Sequence, residues 1–497
     1  MQTLTRSVAA AALGGWLTMS AAAGDPLPRS RPEAQGVSPA GLLGFIEAAD
    51  REIEGMHSFM LVRHGHVVAE GWWSPYSAAS RHELYSLSKS FTSTAVGLAV
   101  GEGKLKVEDR VLDFFPEDAP GDPSSELKAM RVSDLLRMST GHQSEPPTRD
   151  SAHWAKTFLS HKVAFKPGTH FLYNTAATYM LSAIVQKATG QRVLDYLGPR
   201  LFEPLGIEGA TWGESPQGVT LGGYGLSVRT EDIAKFGQLY LQKGRWGDRQ
   251  IVPEAWVAAA TALQTSNGSN PESDWDQGYG YQFWRCRHGA YRGDGAFGQY
   301  CIVLPEQDAV VAITSGVKDM QAVLNLIWTK LLPVFEGGVV AEDEASSEAL
   351  ERKLGSLMLR PAGGAKRSIA AESWVGKRYV FEPGAGPLAS LTLASAGGET
   401  SVPSVRVRWG GEEQELAGEP ESWRRTRLAV GGRTEQPAAV SCGWADDQTL
   451  VARVCLYETP FVITYRFRFG DGQVTVDHEA NVGFGPTQGE QRVGHAE

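Results

Sequence analysis

Apolar positions along this chain follow two rhythms, one before about residue 360 and another after it. In the first part, residues 42–53 carry apolar side chains at helical spacing. Residues 60–62 and 67–72 read as two strands around the turn Arg63-His64-Gly65-His66. From Ser86 the chain enters a long apolar run with Phe91, Ala95, Val96, Leu98, Ala99 and Val100, which predicts a buried helix ending near Gly101 and Gly103. The segment 107–115 stops at Pro116, and residues 132–138 read as a short helix before Gly141. Residues 176–188 have helical periodicity, with Thr175 as N-cap and Gly190 as the stop. An amphipathic helix is predicted over 231–242, strands over 278–286, 296–304 and 310–314, and a helix over 320–332. Strands thus flank a helix-rich middle, a mixed α/β pattern in which both ends of one domain feed a sheet.

Near Leu359 the rhythm changes. Arg360-Pro361-Ala362-Gly363-Gly364-Ala365 reads as a linker. Beyond it, short alternating segments at 391–393, 405–409, 450–456, 461–469 and 474–476, separated by Gly and polar turns, predict an all-β barrel or sandwich. The expected organisation is a leader at 1–23, a first domain at 24–358, a linker at 359–370 and a β module at 371–497. The leader expectation rests on Arg6, a short apolar stretch over 7–20 and Ala21-Ala22-Ala23 before Gly24, and it implies a periplasmic or secreted protein. The stretch is too short for a membrane span, and no later one approaches that length.

Composition narrows the reading without changing it. The 497 residues are 42% hydrophobic and 21% charged, with a net charge of −10 and no basic block, so nucleic acid is not an expected partner. The four cysteines, Cys286, Cys301, Cys442 and Cys455, fall as two local pairs. An exported protein permits two disulfides, and four buried thiols fit as well. No Cys/His spacing suggests a metal, and the eleven histidines are scattered, so no metal and no cofactor are expected.

The candidate chemistry lies at Ser86 and Lys89, three residues apart where the apolar helix begins. On one helix face, hydroxyl and amine meet. A serine hydroxyl needs an adjacent base to become a nucleophile, and burial lowers a lysine pKa towards that task. The same spacing recurs at Ser125/Lys128 and Ser315/Lys318. Ser125 lies in a loop-like Asp-Pro-Ser-Ser-Glu, and Ser315 follows a strand-like run, so only Ser86 leads into a buried helix. Two further segments support it. Residues 167–175, Pro-Gly-Thr-His-Phe-Leu-Tyr-Asn-Thr, place Tyr173 just before a helix, where a phenol can shuttle a proton. Residues 292–300, Arg-Gly-Asp-Gly-Ala-Phe-Gly-Gln-Tyr, form a glycine-rich strand where a ligand can approach the backbone. A backbone N–H there can join that of Ser86 as an oxyanion hole.

Taken in order, Ser86-Leu87-Ser88-Lys89, Asp134 to Gly141, Pro167 to Tyr173, Gly225-Leu226-Ser227 and Asp232 to Gly237 resemble the serine β-lactamase-like superfamily over about residues 35–335. The order and spacing resemble the class C branch, which also holds D-peptidases, family VIII esterases and nylon-oligomer hydrolases. The β module is similar to the lipocalin-like tails of some peptidase members. The resemblance implies an α/β (α+β) β-lactamase/transpeptidase-like domain with an antiparallel sheet and a helical subdomain. It implies Ser86 as acylated nucleophile, Lys89 as proton acceptor or relay, and Tyr173 as partner base and acid. Asn174, Thr175, Asp294, Gly295 and Ala296 then border the substrate and the oxyanion hole, with Ser86 supplying one of the two N–H groups.

Two departures shape the expected activity. The family's Tyr-x-Asn ends here in Thr175, with Asn174 displaced by one. The family's Lys/His-x-Gly strand corresponds to about Gly293-Asp294-Gly295, with Asp294 at the cationic position or Arg292 just before it. The usual partner of a substrate carboxylate is therefore missing. Hydrolysis of a small-molecule ester or non-lactam amide is expected ahead of a short or D-residue peptide, a β-lactam, or a slowly deacylating penicillin-binding role. The loops 142–163, with Trp154, and 261–276, with Trp275, are candidates for a lid.

Overall fold

The central strands of the first domain, Met56–Arg63, Gln299–Leu304 and Ala309–Ser315, are buried throughout because both faces of their sheet are covered. A computed structural model of the chain describes residues 24–335, 340–384, 387–395, 402–430 and 433–497; the expected leader at 1–23 lies outside the described residues. The first elements are α1 (Pro39–Glu52), β1 (Met56–Arg63), β2 (His66–Trp72), α2 (Ser88–Gly101), α3 (Thr175–Thr189) and α4 (Thr230–Leu241). They are followed by β3 (Trp284–Arg285), β4 (Tyr291–Gly295), β5 (Gln299–Leu304), β6 (Ala309–Ser315), α5 (Met320–Leu326) and α6 (Glu344–Gly355). The six strands form an antiparallel sheet in the order β2-β1-β6-β5-β4-β3.

Alternation along each strand divides the side chains between two cores. Met60, Val62, Val310, Ala312 and Val303 face α2 and α4, while Phe59, Leu61, Val311, Ile313 and Ile302 face α1 and α5. On α1, Ser38 caps the N-terminus by accepting the Gly41 N–H, Pro39 opens the helix, and Leu42, Phe45, Ile46 and Ala49 are buried. The predicted α/β layout is thus the observed one, with helices on both faces of an antiparallel sheet.

Several expected elements differ. The run 278–286 contributes only β3, where Trp284 pairs with Arg292, while Tyr279 packs with Met138 and Trp284 in a small separate cluster beside Tyr173 and lies in no strand. The strand expected from 296 begins at Gln299, since residues 296–298 make the hairpin turn, with Gly298 at φ +90°. The helix expected over 320–332 stays α only to Leu326 and then widens into a π turn, Ile327–Leu331. Ser125, read as loop, opens a short helix, Ser125–Ala129, capped by the Ser124 hydroxyl. The helix α6, which no apolar run announced, packs on α1 through Leu350, its one fully buried side chain.

The second unit comprises ten strands: β7 (Arg378–Phe381), β8 (Leu388–Ala394), β9 (Ser404–Trp409), β10 (Glu412–Leu416), β11 (Arg424–Leu428), β12 (Gln436–Trp444), β13 (Thr449–Cys455), β14 (Val462–Gly470), β15 (Gln473–Ala480) and β16 (Arg492–Ala496). They form one antiparallel, nearly closed barrel-like sheet, ordered β10-β9-β8-β7-β16-β15-β14-β13-β12-β11. Tyr465, Phe467 and Phe469 point inward while Arg466 and Arg468 point out. Trp374, Trp444 and Phe469 stack in its interior, so that part of the barrel is filled with rings. The two edge strands, Glu-Glu-Gln-Glu-Leu and Arg-Arg-Thr-Arg-Leu, are mostly charged, which blunts pairing with other chains.

The two units share a core. Cys455 and Val462 of the barrel pack in the same cluster as Phe45, Leu357 and Leu359 of the first unit. The Tyr76 hydroxyl donates to the Thr459 carbonyl across the seam at 2.8 Å. All four cysteines are buried free thiols. In the barrel, Cys442 lies opposite Ala452 and Cys455 opposite Ala439, so the register never sets the two sulfurs against each other. Among the described residues no helix is long and apolar enough to cross a membrane.

Phe45 is 1% exposed and meets the Phe59 ring at 5.1 Å. Phe45→Ala is expected to lower stability by about 3–5 kcal/mol, read as a reduced urea midpoint with an unchanged slope.

Candidate active site

The Ser86 environment begins with a turn. Tyr85–Leu87 forms a single 3-10 turn that runs straight into α2, so Ser86 sits just before the α-helix rather than on its first turn. From Ser88 to Ala99 every residue of α2 is buried. Lys89 therefore has only 1% of its surface exposed. Its Nζ donates to Ser86 Oγ at 3.0 Å, to Thr175 Oγ1 at 3.3 Å and to the Gly223 carbonyl at 2.7 Å. Burial lowers the amine from its ordinary 10.5 to about 7, opposed only in part by the negative charges of Glu145 and Asp294. Near neutral pH a large fraction of this lysine is an uncharged amine, able to take the Ser86 proton.

Tyr173 leads into α3. Its hydroxyl interacts with Ser86, and its ring lies under Lys89 Nζ at 5.0 Å and stacks on Trp284 at 5.4 Å. Burial pushes the phenol well above its ordinary value, and the charge of Asp294 pushes it further. It remains a phenol at neutral pH, a proton donor in form. The N-cap of α3 is Asn174 rather than Thr175. Asn174 has the extended backbone of a cap, and its Oδ1 accepts the Ala177 N–H at 3.1 Å. Asn174 is fully buried, whereas Thr175 faces Lys89. The stop at Gly190 holds, in the left-handed conformation.

The glycine-rich strand closes the site from the other side. A Cβ on Gly295 would stand 2.0 Å from the Leu84 carbonyl oxygen and 3.1 Å from the Ser86 nitrogen. Only glycine lets the end of β4 approach the Ser86 backbone so closely. Asp294 does not present an open charge. Its Oδ2 pairs with Arg292 at 2.8 Å, and Arg292 is itself fully buried over the Trp275 ring. Burial raises the Asp294 carboxyl, while Arg292 beside it pulls the other way.

Three positions at the site escaped the sequence reading. Gln299 donates to the Ala296 and Ser315 carbonyls and accepts from the Ser315 N–H, so it fixes the hairpin turn that carries Ala296. The Gly223 carbonyl anchors Lys89, and its Gly-Gly pair was the available signal of close approach. Trp284 backs Tyr173. Of the two candidate lids, Trp154 is core against Tyr179, and Trp275 covers Arg292.

The chain is similar to known proteins over much of its first unit. A family model described as Beta-lactamase matches residues 45–325. A 6-aminohexanoate-dimer hydrolase of Paenarthrobacter ureafaciens is 28% identical over 290 residues, 53% of this chain and 73% of that protein. A D-aminopeptidase of Brucella anthropi is 26% identical over 165 residues, 30% of this chain and 31% of its own length. A solved structure named "Putative 6-aminohexanoate-dimer hydrolase from Bacillus anthracis" superposes with a TM-score of 0.52 at 19% identity, covering 63% of this chain and 87% of that one, which shows the fold alone.

The pH dependence of this site has a defined sign. Below about 7 the Lys89 amine is protonated and cannot accept a proton; above it the amine is free. The rate of Ser86 labelling by a fluorophosphonate is expected to rise with pH to a plateau with an apparent pKa of about 7. Lys89→Met is expected to lower that rate by about 10²-fold or more and to remove the step. Gly295→Ala, with its Cβ 2.0 Å from a carbonyl oxygen, is expected to slow labelling by a similar factor in protein whose circular dichroism is unchanged.

Proposed function

This chain is a serine hydrolase of the Beta-lactamase family, and we propose that it cleaves ester or non-lactam amide bonds through an acyl-enzyme on Ser86. The observation that carries the reading is the lysine amine at about 7, held 3.0 Å from a serine hydroxyl that a buried phenol also faces. The substrate carbonyl oxygen lies between the backbone N–H groups of Ser86 and Ala296. Ser86 Oγ adds to the carbonyl carbon as its proton passes to Lys89. The bond to the leaving group then breaks, and Tyr173 donates its proton to the departing oxygen or nitrogen while the proton on Lys89 replaces it. Water repeats the sequence in reverse roles: it loses a proton to the Lys89/Tyr173 pair and releases the acid from Ser86. Each N–H of such a hole stabilises the transition state by about 3–4 kcal/mol.

The substrate preference follows from Asp294. Where the resemblance calls for a lysine or histidine to meet a carboxylate, this chain has a carboxylate already paired to Arg292. That favours neutral esters and linear amides over β-lactams and D-alanyl peptides with a free carboxylate. The 6-aminohexanoate-dimer hydrolase among the relatives supports amide bonds as well as esters. We divide the chain at 24–358 and 371–497, with the segment 359–370 as the connection, and the apolar stretch at 7–20 supports export.

Ser86→Ala is expected to abolish hydrolysis of a p-nitrophenyl ester; undiminished turnover would refute the nucleophile. In a panel of p-nitrophenyl butyrate, a linear aminohexanoyl amide, a D-alanyl peptide and nitrocefin, the first two are expected to give kcat/KM at least about tenfold higher. Nitrocefin turning over fastest would overturn the substrate preference.

A further inference from the structure

Two bulky residues beside the site hold backbone conformations that side chains avoid. Tyr85, immediately before Ser86, has φ +47°, and Phe297, immediately after Ala296, has φ +68°. Large side chains rarely enter this left-handed region, and such residues persist only where their surroundings over-determine them. Part of the surroundings here belongs to the other unit. Tyr85 is 9% exposed and packs in the core cluster of the barrel, and Ala296 and Phe297 pack against the same cluster. The Tyr85 ring meets Phe297 edge-on at 5.4 Å and Phe484 at 5.7 Å. Phe297 in turn meets Phe484 at 4.9 Å and Phe461 at 6.0 Å.

Backbone ties run alongside the rings. The Glu83 N–H donates to the Glu458 carbonyl at 2.9 Å. Asn481 Nδ2 donates to the Gly316 carbonyl at 2.9 Å, and the Val317 N–H donates to the Phe297 carbonyl at 3.0 Å. The loops 456–461 and 481–485 of the barrel therefore grip both segments that carry the oxyanion-hole N–H groups. Phe484 is 77% exposed and has its contacts with just these two strained residues among the aromatic rings.

We infer that the C-terminal barrel is a positioning element of the hydrolase site: Phe461 and Phe484 hold Tyr85 and Phe297 in their left-handed conformations, and these set the N–H groups of Ser86 and Ala296 for the substrate carbonyl. The inference rests on Ser86 as nucleophile. It gives the barrel a task in the transition state rather than in substrate capture.

The full-length protein tests it, with p-nitrophenyl butyrate as substrate and a fluorophosphonate as probe of Ser86. Phe484→Ala removes an exposed ring and leaves the fold intact. It is expected to lower kcat about tenfold, with KM within about twofold, and to slow labelling by the same factor, a fraction of what losing an oxyanion donor outright does. Phe484→Leu is expected to restore most of the rate. Adding Tyr85→Gly to Phe484→Ala is expected to recover labelling as well, because glycine takes a positive φ without a clamp. A changed KM with an unchanged kcat would overturn the proposal in favour of a substrate wall, and full activity of a folded Phe461→Ala/Phe484→Ala protein would overturn it outright. Failure of the nucleophile assignment is distinguishable: mass spectrometry of the labelled wild type would then find no adduct on Ser86.

Discussion

The burial of one amine constrains everything around it. Moving the Lys89 pKa from 10.5 to about 7 means that the surroundings disfavour its charged form by about 5 kcal/mol. A protein carries such a residue only inside a core strong enough to hold it. Here Phe91, Val96 and Leu98 of the same helix each contribute about 1.5–3 kcal/mol by burial, so the helix outweighs its lysine. The small residues of α2 allow this depth. Gly97 admits the Trp256 ring, since a Cβ there would lie 2.4 Å from it, and the Ser and Thr positions let neighbouring segments close over the amine. Three acceptors then fix Nζ without neutralising it by a carboxylate. Had one been an acid, the pKa would rise and the amine would stay charged at neutral pH.

The same physics explains what could be read from the residues alone. A Ser-x-x-Lys spacing occurs three times, and only the one at Ser86 precedes a continuous apolar run, so burial was visible before any coordinate. The glycines of β4 were legible because a strand interior seldom accepts them without a close neighbour, and that neighbour is the backbone around Ser86. Asn174 and Thr175 were harder. Both residues cap helices well, and only the backbone conformation decides that Asn174 does so, leaving Thr175 to face the lysine. The aromatic run from Tyr279 misled for a related reason: apolarity reports burial, and of this buried cluster only Trp284 lies in a strand. The strands β10 and β11 were missed because their edge position made them mostly charged.

What no local pattern contains is the seam between the two units. Phe297 and Phe461 are far apart in sequence, as are Glu83 and Glu458, and each is unremarked until the fold joins them. The strain at Tyr85 is equally silent, since a tyrosine before a serine says nothing about φ. Its existence implies surroundings that reward the strained form, and the ring contacts make Phe297 and the barrel's Phe484 part of them. A catalytic turn assembled in this way depends on residues from both ends of the chain.

The third motif gains its meaning from the same accounting of buried charge. A lone Asp294 at this depth would be destabilising, and a lone Arg292 more so. Together they form a closed pair, with Arg292 also donating to the Asp274 carbonyl at 2.9 Å and to Cys286 Sγ at 3.0 Å. Such a pair is costly to break, because either partner left alone is an uncompensated buried charge. It is therefore ill suited to opening for a substrate carboxylate. With the charge at this edge closed off, the side chains left to shape it are Trp284 behind Tyr173 and Phe297 at the turn. On the proposed reading, such a site would discriminate by the volume and length of a neutral chain on the carbonyl, and that is the property to compare across esters and linear amides.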